Sequence, residues 1–230
     1  MDFRHHDDLW HDFPALVPAV LLIDGVTPDA DVSAAVAEHT AAARARLAAG
    51  SEAELPQIQA WRRAFAAQGL KPTQYRCASE SLLRRLRREG ELPRLHPLVD
   101  LCNAVSAAFA IPVAALDVTR IGGDLEVRYA DGSEKYETFG GELEHPDPGE
   151  VVFADAANFA HARRWTNRQS GRSAIRPATT TALIVAEGLH ETAASDVPLL
   201  LDTLAGALRA AWRAEPATAV LTRGAPVFRA

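Results

Sequence analysis

The chain has 230 residues, 48% of them hydrophobic, and a net charge of −6, which suits one large domain or two small ones with a real core and excludes wholesale disorder. The acidic balance excludes a protein that coats nucleic acid indiscriminately, because that mode needs phosphate-neutralising cations across the whole binding face. Two cysteines, Cys77 and Cys102, with no Cys-x-x-Cys and no clustered His/Cys ligands, indicate neither a disulfide framework nor a structural zinc site, and both read as small core residues.

Taken in chain order, the opening His5-His6-Asp7-Asp8 with His11 offers ligand-type side chains but no spacing that fixes a metal geometry. It reads as a flexible terminus, and no metal is expected. The apolar run at residues 16–23 is too short to span a bilayer and lacks the flanks of a secretory signal, so the expectation is a cytoplasmic protein with no membrane partner. Residues 16–26 predict a buried strand ending in the Asp24-Gly25 turn. Thr27-Pro28-Asp29 then opens a helix with Val32, Val36, Ala43 and Leu47 on one face and Gly50 as its stop. A second helix carries Ile58, Trp61 and Phe65, a third is capped by Ser79 and buries Leu82, Leu83 and Leu86, and a fourth starts at Pro97 with Leu98, Leu101, Val105 and Phe109 inward.

Past Pro112 the period changes to alternation. Residues 125–129, an Asp131-Gly132 turn and residues 135–139 predict a β-hairpin. Gly122-Gly123 and Gly140-Gly141 read as turns beside strands. Residues 151–153 and 182–185 predict further buried strands, and residues 198–214 an amphipathic helix. Helices, then mainly strands, then a helix favour an α+β fold over a doubly wound parallel sheet. No internal repeat or linker forces a boundary within residues 1–230.

There is no nucleophile elbow, phosphate loop, dinucleotide fingerprint or His-Glu-x-x-His motif, so no cofactor is expected. Two polar constellations remain. In His96-Pro-Leu-Val-Asp100-Leu-Cys-Asn103, Asp100 and Asn103 lie one helical turn apart, either bonded to nearby backbone or facing a ligand. In Arg163-Arg164-Trp165-Thr-Asn167-Arg168-Gln169-Ser170, charge, a stacking ring and amides fall within eight residues, a set suited to a nucleotide or an amino-acid ester, or to an ordered loop pinned by its own side chains. Between Ala156 and Ala186 there is no Asp or Glu but five arginines, Arg163, Arg164, Arg168, Arg172 and Arg176. Either they form a solvated face or an anionic ligand supplies the counter-charge. The second basic cluster, Arg84, Arg85, Arg87 and Arg88, reads as a solvated helix face.

Ser79-Glu80-Ser-Leu82-Leu83, Leu92-Pro93 through Asn103, Ile111-Pro112, Leu116-Asp117 and Gly149-Glu150-Val-Val-Phe-Ala-Asp155 resemble, in order and spacing, the successive motifs of the B3/B4 editing domain of the phenylalanyl-tRNA synthetase beta subunit. Residues 163–170, followed by Thr179-Thr180-Thr181, are similar to free-standing members of that family. The resemblance spans roughly residues 55–189. It implies a B3/B4-like α+β fold, a mixed or antiparallel sheet flanked by helices around a central cleft, the N-terminal strand and helix and the C-terminal helix packing on it. In the synthetase that cleft hydrolyses tRNA carrying the wrong amino acid, notably tyrosine. Where the synthetase domain has a histidine, this chain has Ala114; where it has Gly-Gly-Glu-His-Ser, this chain has residues 165–170.

The resemblance implies a trans-acting aminoacyl-tRNA deacylase with the tRNA 3′ aminoacyl end as partner and no DNA. With no ATP-binding domain, the chain is not a synthetase by itself. Asn167 and Gln169 are the expected catalytic pair, supplying donors or orienting water. Arg164 and Arg168 would hold the terminal phosphates, Trp165 would pack against adenosine or amino acid, and Asn103 and Thr180 would complete the substrate site. The alternative is a non-catalytic module that binds RNA or an amino acid in the same cleft, and pairing of the arginines within the chain would favour a purely structural role. Neither the amino acid nor the oligomeric state is written in these residues.

Overall fold

The computed structural model describes residues 1–229, which form twelve strands and six α-helices. Strands β2 (Val17–Asp24) and β10 (Thr181–Gly188) pair antiparallel along their whole lengths at the centre of a four-stranded sheet, flanked by β11 (Ala217–Val220) and β3 (Val113–Asp117). The unbroken apolar run of β10 has a direct cause: the strand is covered on both faces. Ala182, Ile184 and Ala186 point into one core, against Leu98, Leu101 and Val105 of α5 (Pro97–Phe109) and Val197, Leu200 and Leu204 of α6 (Ala193–Trp212). Leu183 and Val185 point into the other.

That second core is shared with a six-stranded sheet in the order β12 (Val227–Arg229), β1 (Asp2–His5), β4 (Leu125–Tyr129), β7 (Val151–Asp155), β8 (Ala160–Arg163) and β9 (Arg168–Gln169). Only β1 and β4 run parallel; the other pairs are antiparallel. Helices α3 (Pro56–Ala67) and α4 (Ala78–Glu89) supply Ile58, Trp61, Phe65 and Leu83 to it, against Phe3, Val127, Phe153 and Trp165. The architecture is α+β, with mixed sheets and helices around them.

Four expectations are corrected. The N-terminus is ordered: β1 lies inside the six-stranded sheet, His5 is buried, and α1 (Asp7–Asp12) follows with Leu9 and Trp10 in the core. The first long helix, α2 (Ser33–Ala49), starts later than Thr27-Pro28-Asp29. Cys77 takes the cap position of α4, and Ser79 sits inside the helix, donating its hydroxyl to Ala110 O at 3.1 Å.

The predicted hairpin across Asp131-Gly132 does not close. The carboxylate of buried Glu134 accepts from the backbone N–H groups of Asp131 and Gly132 and pairs with Arg128, drawing the chain off the strand line. The free edge of β4 is taken instead by β7, whose Val151, Val152 and Phe153 bury more apolar surface than residues 135–139 offer. The short β5 (Tyr136–Glu137) pairs with β6 (Leu143–Glu144).

Candidate functional site

The segment joining β8 to β9, together with β9 itself, carries most of the polar residues singled out from the sequence. In it Arg164 and Trp165 adopt φ of 48° and 57°, a left-handed conformation that costs a non-glycine residue about 1–3 kcal/mol. What holds Trp165 there is burial. Its indole is fully enclosed, edge-on to Trp61 and Phe13 with ring centroids 4.9 Å away in each case, and its Nε1–H donates to Glu187 Oε1 at 2.8 Å. At about 25 cal/mol per Å² over the area a Trp buries, that is roughly 4–6 kcal/mol, enough to outweigh the strain. Trp165 is therefore a wall of the site and not an exposed stacking platform.

Beside it lies an inner cavity of about 150 Å³ with apolar walls from Ala114, Phe153 and Val185 and polar groups from Asn167, Gln169 and Glu187. The two amides are fixed by the backbone. Asn167 Nδ2 donates to Arg76 O at 2.7 Å, and Gln169 Nε2 donates to Ala115 O at 2.8 Å. A flipped amide would set oxygen against oxygen, so the assignment follows from the network. Each side chain keeps its carbonyl oxygen and one N–H for other partners. The hydroxyl of Thr166, also on this wall, is buried without a partner. Its sequence neighbours were singled out and it was not, because a lone threonine carries no signal.

Through Val113 and Gln169 the inner cavity adjoins an outer chamber of about 550 Å³, between the start of α5, β3 and residues 174–177. Asn103 lines it, as do His96, Phe139 and Arg176. His96 caps α5 by accepting from Leu98 N at 3.2 Å on Nδ1, which places its proton on Nε2; that atom is buried without a partner. Burial lowers the His96 pKa from its ordinary value, against the pull of Asp100, so the ring is a neutral donor. Phe139 and Leu95, 65% and 73% exposed, form an apolar rim.

The arginines are largely accounted for within the chain, so neither a solvated face nor an anionic ligand is needed to explain most of them. Buried Arg163 makes two bonds to Glu150, at 2.8 and 3.0 Å, and one to Glu144 at 2.8 Å. Arg168 makes two to Glu144, Arg164 lies 3.4 Å from Glu150 and over the Tyr75 ring, and Arg172 sits 3.9 Å from Glu137 and over Phe159. The acids come from residues 137–150, outside the acid-free window, so the window alone misled. Among the described residues only Arg176 of the five has no carboxylate within 4 Å, and its guanidinium lies 5.8 Å from the Phe139 ring centre.

Asp100 and Asn103 separate. Asp100 accepts from Leu95 N at 2.7 Å and faces a different cavity. Thr180 is exposed and lines neither chamber, while Thr179 is buried and donates to Asp117 at 2.7 Å. Of the second basic cluster, Arg84 and Arg87 pair with Glu52 and Arg85 with Glu89.

One constellation escaped the sequence entirely. Ser173 Oγ is 2.8 Å from His161 Nδ1, and His161 Nε2 is 3.0 Å from Asp155 Oδ2. Burial raises the Asp155 pKa, but donors from His161, Phe159 and Gly122 outweigh it and hold the carboxyl below its usual range, so Nε2 donates and Nδ1 accepts the Ser173 hydroxyl. The connectivity is that of a nucleophilic triad. Yet all three are buried and none of them lines the inner or the outer chamber, so these hydrogen bonds pin β7, β8 and residue 173 together.

The profile of the B3/4 domain matches residues 60–203, more than half of the chain. The chain belongs to the B3/4 domain family. Among curated relatives, the phenylalanine–tRNA ligase beta subunit of Shewanella oneidensis is 34% identical over 90 residues, 39% of this chain and 11% of the relative. The same subunit from Legionella pneumophila is 37% identical over 71 residues, 31% of this chain and 9% of the relative. These alignments thus span about a tenth of the relatives' length. The crystal structure of an N-terminal fragment of the phenylalanyl-tRNA synthetase beta-subunit from Pyrococcus horikoshii matches with a TM-score of 0.51 at 10% identity, covering 96% of this chain and 54% of that one, a likeness of fold. The matched part of this B3/4 domain holds Asn103, Asn167, Gln169, Arg176 and Glu187; His5, which reaches Glu187, comes from outside it. Among the described residues no helix is long and apolar enough to cross a membrane.

Proposed function

We propose that this protein is a trans-acting hydrolase that removes a mismatched amino acid from the 3′ end of an aminoacyl-tRNA. The observation that carries the reading is the paired cavity: about 150 Å³ beside about 550 Å³, meeting at Gln169, a small chamber for an amino acid next to one for a terminal nucleoside. An aminoacyl ester is already activated, so the protein need only hold the carbonyl, position a water and supply donors to the developing oxyanion. The carbonyl oxygens of Asn167 and Gln169 accept from that water; their remaining N–H groups and the Thr166 hydroxyl are the donors. Water adds to the ester carbonyl, the bond to the ribose oxygen breaks, and the ribose oxygen leaves with a proton from the water.

In the outer chamber Asn103 and His96 donate to the nucleoside, Phe139 stacks its base and Arg176 takes phosphate, the roles first assigned to Trp165, Arg164 and Arg168. Charged tRNA is a cytoplasmic substrate, and that location belongs to the same proposal. So does one domain across residues 1–230, since β1 and β12 pair and His5 of β1 supports the inner cavity.

The second reading, a module that binds RNA or an amino acid, is favoured by Ala114 in the inner wall, where the synthetase domain has a histidine, while the pairing of four arginines favours a purely structural role. Deacylation of a panel of correctly and incorrectly charged tRNAs separates the two. Rapid loss of one mischarged species, reduced roughly 100-fold by Asn167→Ala or Gln169→Ala, is the expected result. Binding of tRNA with no hydrolysis of any species sinks the enzyme.

A further inference from the structure

We propose that Glu187 is the recognition residue for the free α-ammonium group of the bound amino acid, and that the site thereby rejects N-acylated esters. This inference rests on the aminoacyl-ester reading of the cleft and goes beyond it by specifying the chemical class accepted.

Glu187 is buried on β10 and lines the inner cavity. Both of its protein partners, Trp165 Nε1 at 2.8 Å and His5 Nε2 at 2.7 Å, meet the same oxygen, Oε1. No hydrogen bond among the described residues reaches Oε2, and no arginine or lysine pairs with the group. A carboxylate oxygen on a side chain only 2% exposed, lining a cavity and left without a protein donor, is an acceptor in want of a ligand.

The neighbouring groups have the same polarity. Asn167 and Gln169 each commit an N–H to a backbone carbonyl and keep a carbonyl oxygen free, so the cavity wall is rich in acceptors. An ammonium group, with a positive charge and three donors, complements that wall; an N-acyl amide, with one donor, no charge and an oxygen of its own, does not. His5 acts through Glu187 and is a positioning residue: its ring, edge-on to Phe3 and Trp10, fixes Oε1 and so aims Oε2. Such a hydrolase spares peptidyl and other N-blocked esters while acting on aminoacyl ones.

The test is calorimetric binding of 3′-deoxy-3′-(L-alanylamino)adenosine and its L-tyrosyl counterpart, amides that cannot be turned over as esters, each compared with its N-acetylated form. The unaltered protein is expected to favour the free amine by roughly 10- to 100-fold, the range for a hydrogen bond to a charged group. The isosteric Glu187→Gln variant, its folding checked by thermal melting, brings the ratio close to one. Equal affinity for free and acetylated forms in the unaltered protein overturns the proposal without recourse to any variant, as does a preference that survives in folded Glu187→Gln. No binding of any probe overturns both this inference and the cleft reading. Amine-selective binding without hydrolysis of any charged tRNA leaves the inference standing and overturns only the enzyme.

Discussion

Ser173, His161 and Asp155 are the residues whose identities would most readily mislead. Joined at 2.8 and 3.0 Å, they have the chemistry of an activated nucleophile but no substrate access. Ser173→Ala should therefore leave deacylation unchanged. It should cost about 1–3 kcal/mol of stability in denaturant unfolding, because His161 Nδ1 loses its buried donor; a large fall in turnover with intact stability would restore Ser173 as a nucleophile. The cysteines are similarly inert. Burial pushes the Cys77 thiol up to about 11 and the Cys102 thiol to about 12, so neither is a reactive thiolate near neutrality.

The β8–β9 hairpin is the element on which the site depends, and close backbone contact holds its flank in place. Gly171 lies so near residues 138–139 that an added Cβ would meet Thr138 O at 2.6 Å and Phe139 Cα at 2.9 Å, both backbone atoms that cannot swing aside. Gly171→Ala should cost about 1–3 kcal/mol as overpacking and, by moving Phe139 at the rim of the outer chamber, weaken nucleoside binding as well. Melting temperature and probe affinity measured together check this; a stable variant with unaltered affinity would remove Phe139 from the site. The predicted hairpin at Asp131-Gly132 marks the limit of local reading at this scale. Its turn chemistry was legible, but strand partners are chosen by competing apolar surfaces, and Val151–Phe153 were twenty residues further on.

Across the whole molecule, buried ion pairs tie the six-stranded sheet to its surroundings and set the acid response. Burial raises the Glu150 pKa, but Arg163 and Arg164 overcome it and hold the group below its ordinary 4.5; bonds from Arg168 do the same for Glu144. A depressed carboxylate contributes stability that is complete above its unfolded value and lost as pH falls through its folded one. His96, lowered from 6.5, acts earlier: stability falls once the unfolded imidazole binds a proton that the folded one refuses. Unfolding free energy should thus decline first below about pH 6.5 and again below about 4.5. His96→Asn, which keeps a cap acceptor, should reduce the first decline and leave the part due to His39, which burial also lowers; Glu150→Gln should reduce the second and leave the part due to Glu144, after an initial loss from leaving Arg163 half paired.

The sequence by itself determined the long elements and the family. The helices around Trp61, Leu83 and Leu101 and the strands at residues 17–24 and 181–188 follow from periodicity and apolar run length, which are local properties of the chain. It also singled out Asn103, Asn167 and Gln169, which the fold brings to two adjoining cavities, since amides and arginines near an aromatic stand out against an apolar background. Only the tertiary structure decided which charges were spent. The partners of Arg163, Arg164 and Arg168 are glutamates up to 24 residues away, and the donors to Glu187 are Trp165 and His5, the latter 182 positions distant. Hydrogen bonds and ion pairs act over a few ångströms of space, and nothing in local sequence pattern records which distant residues will meet across a core.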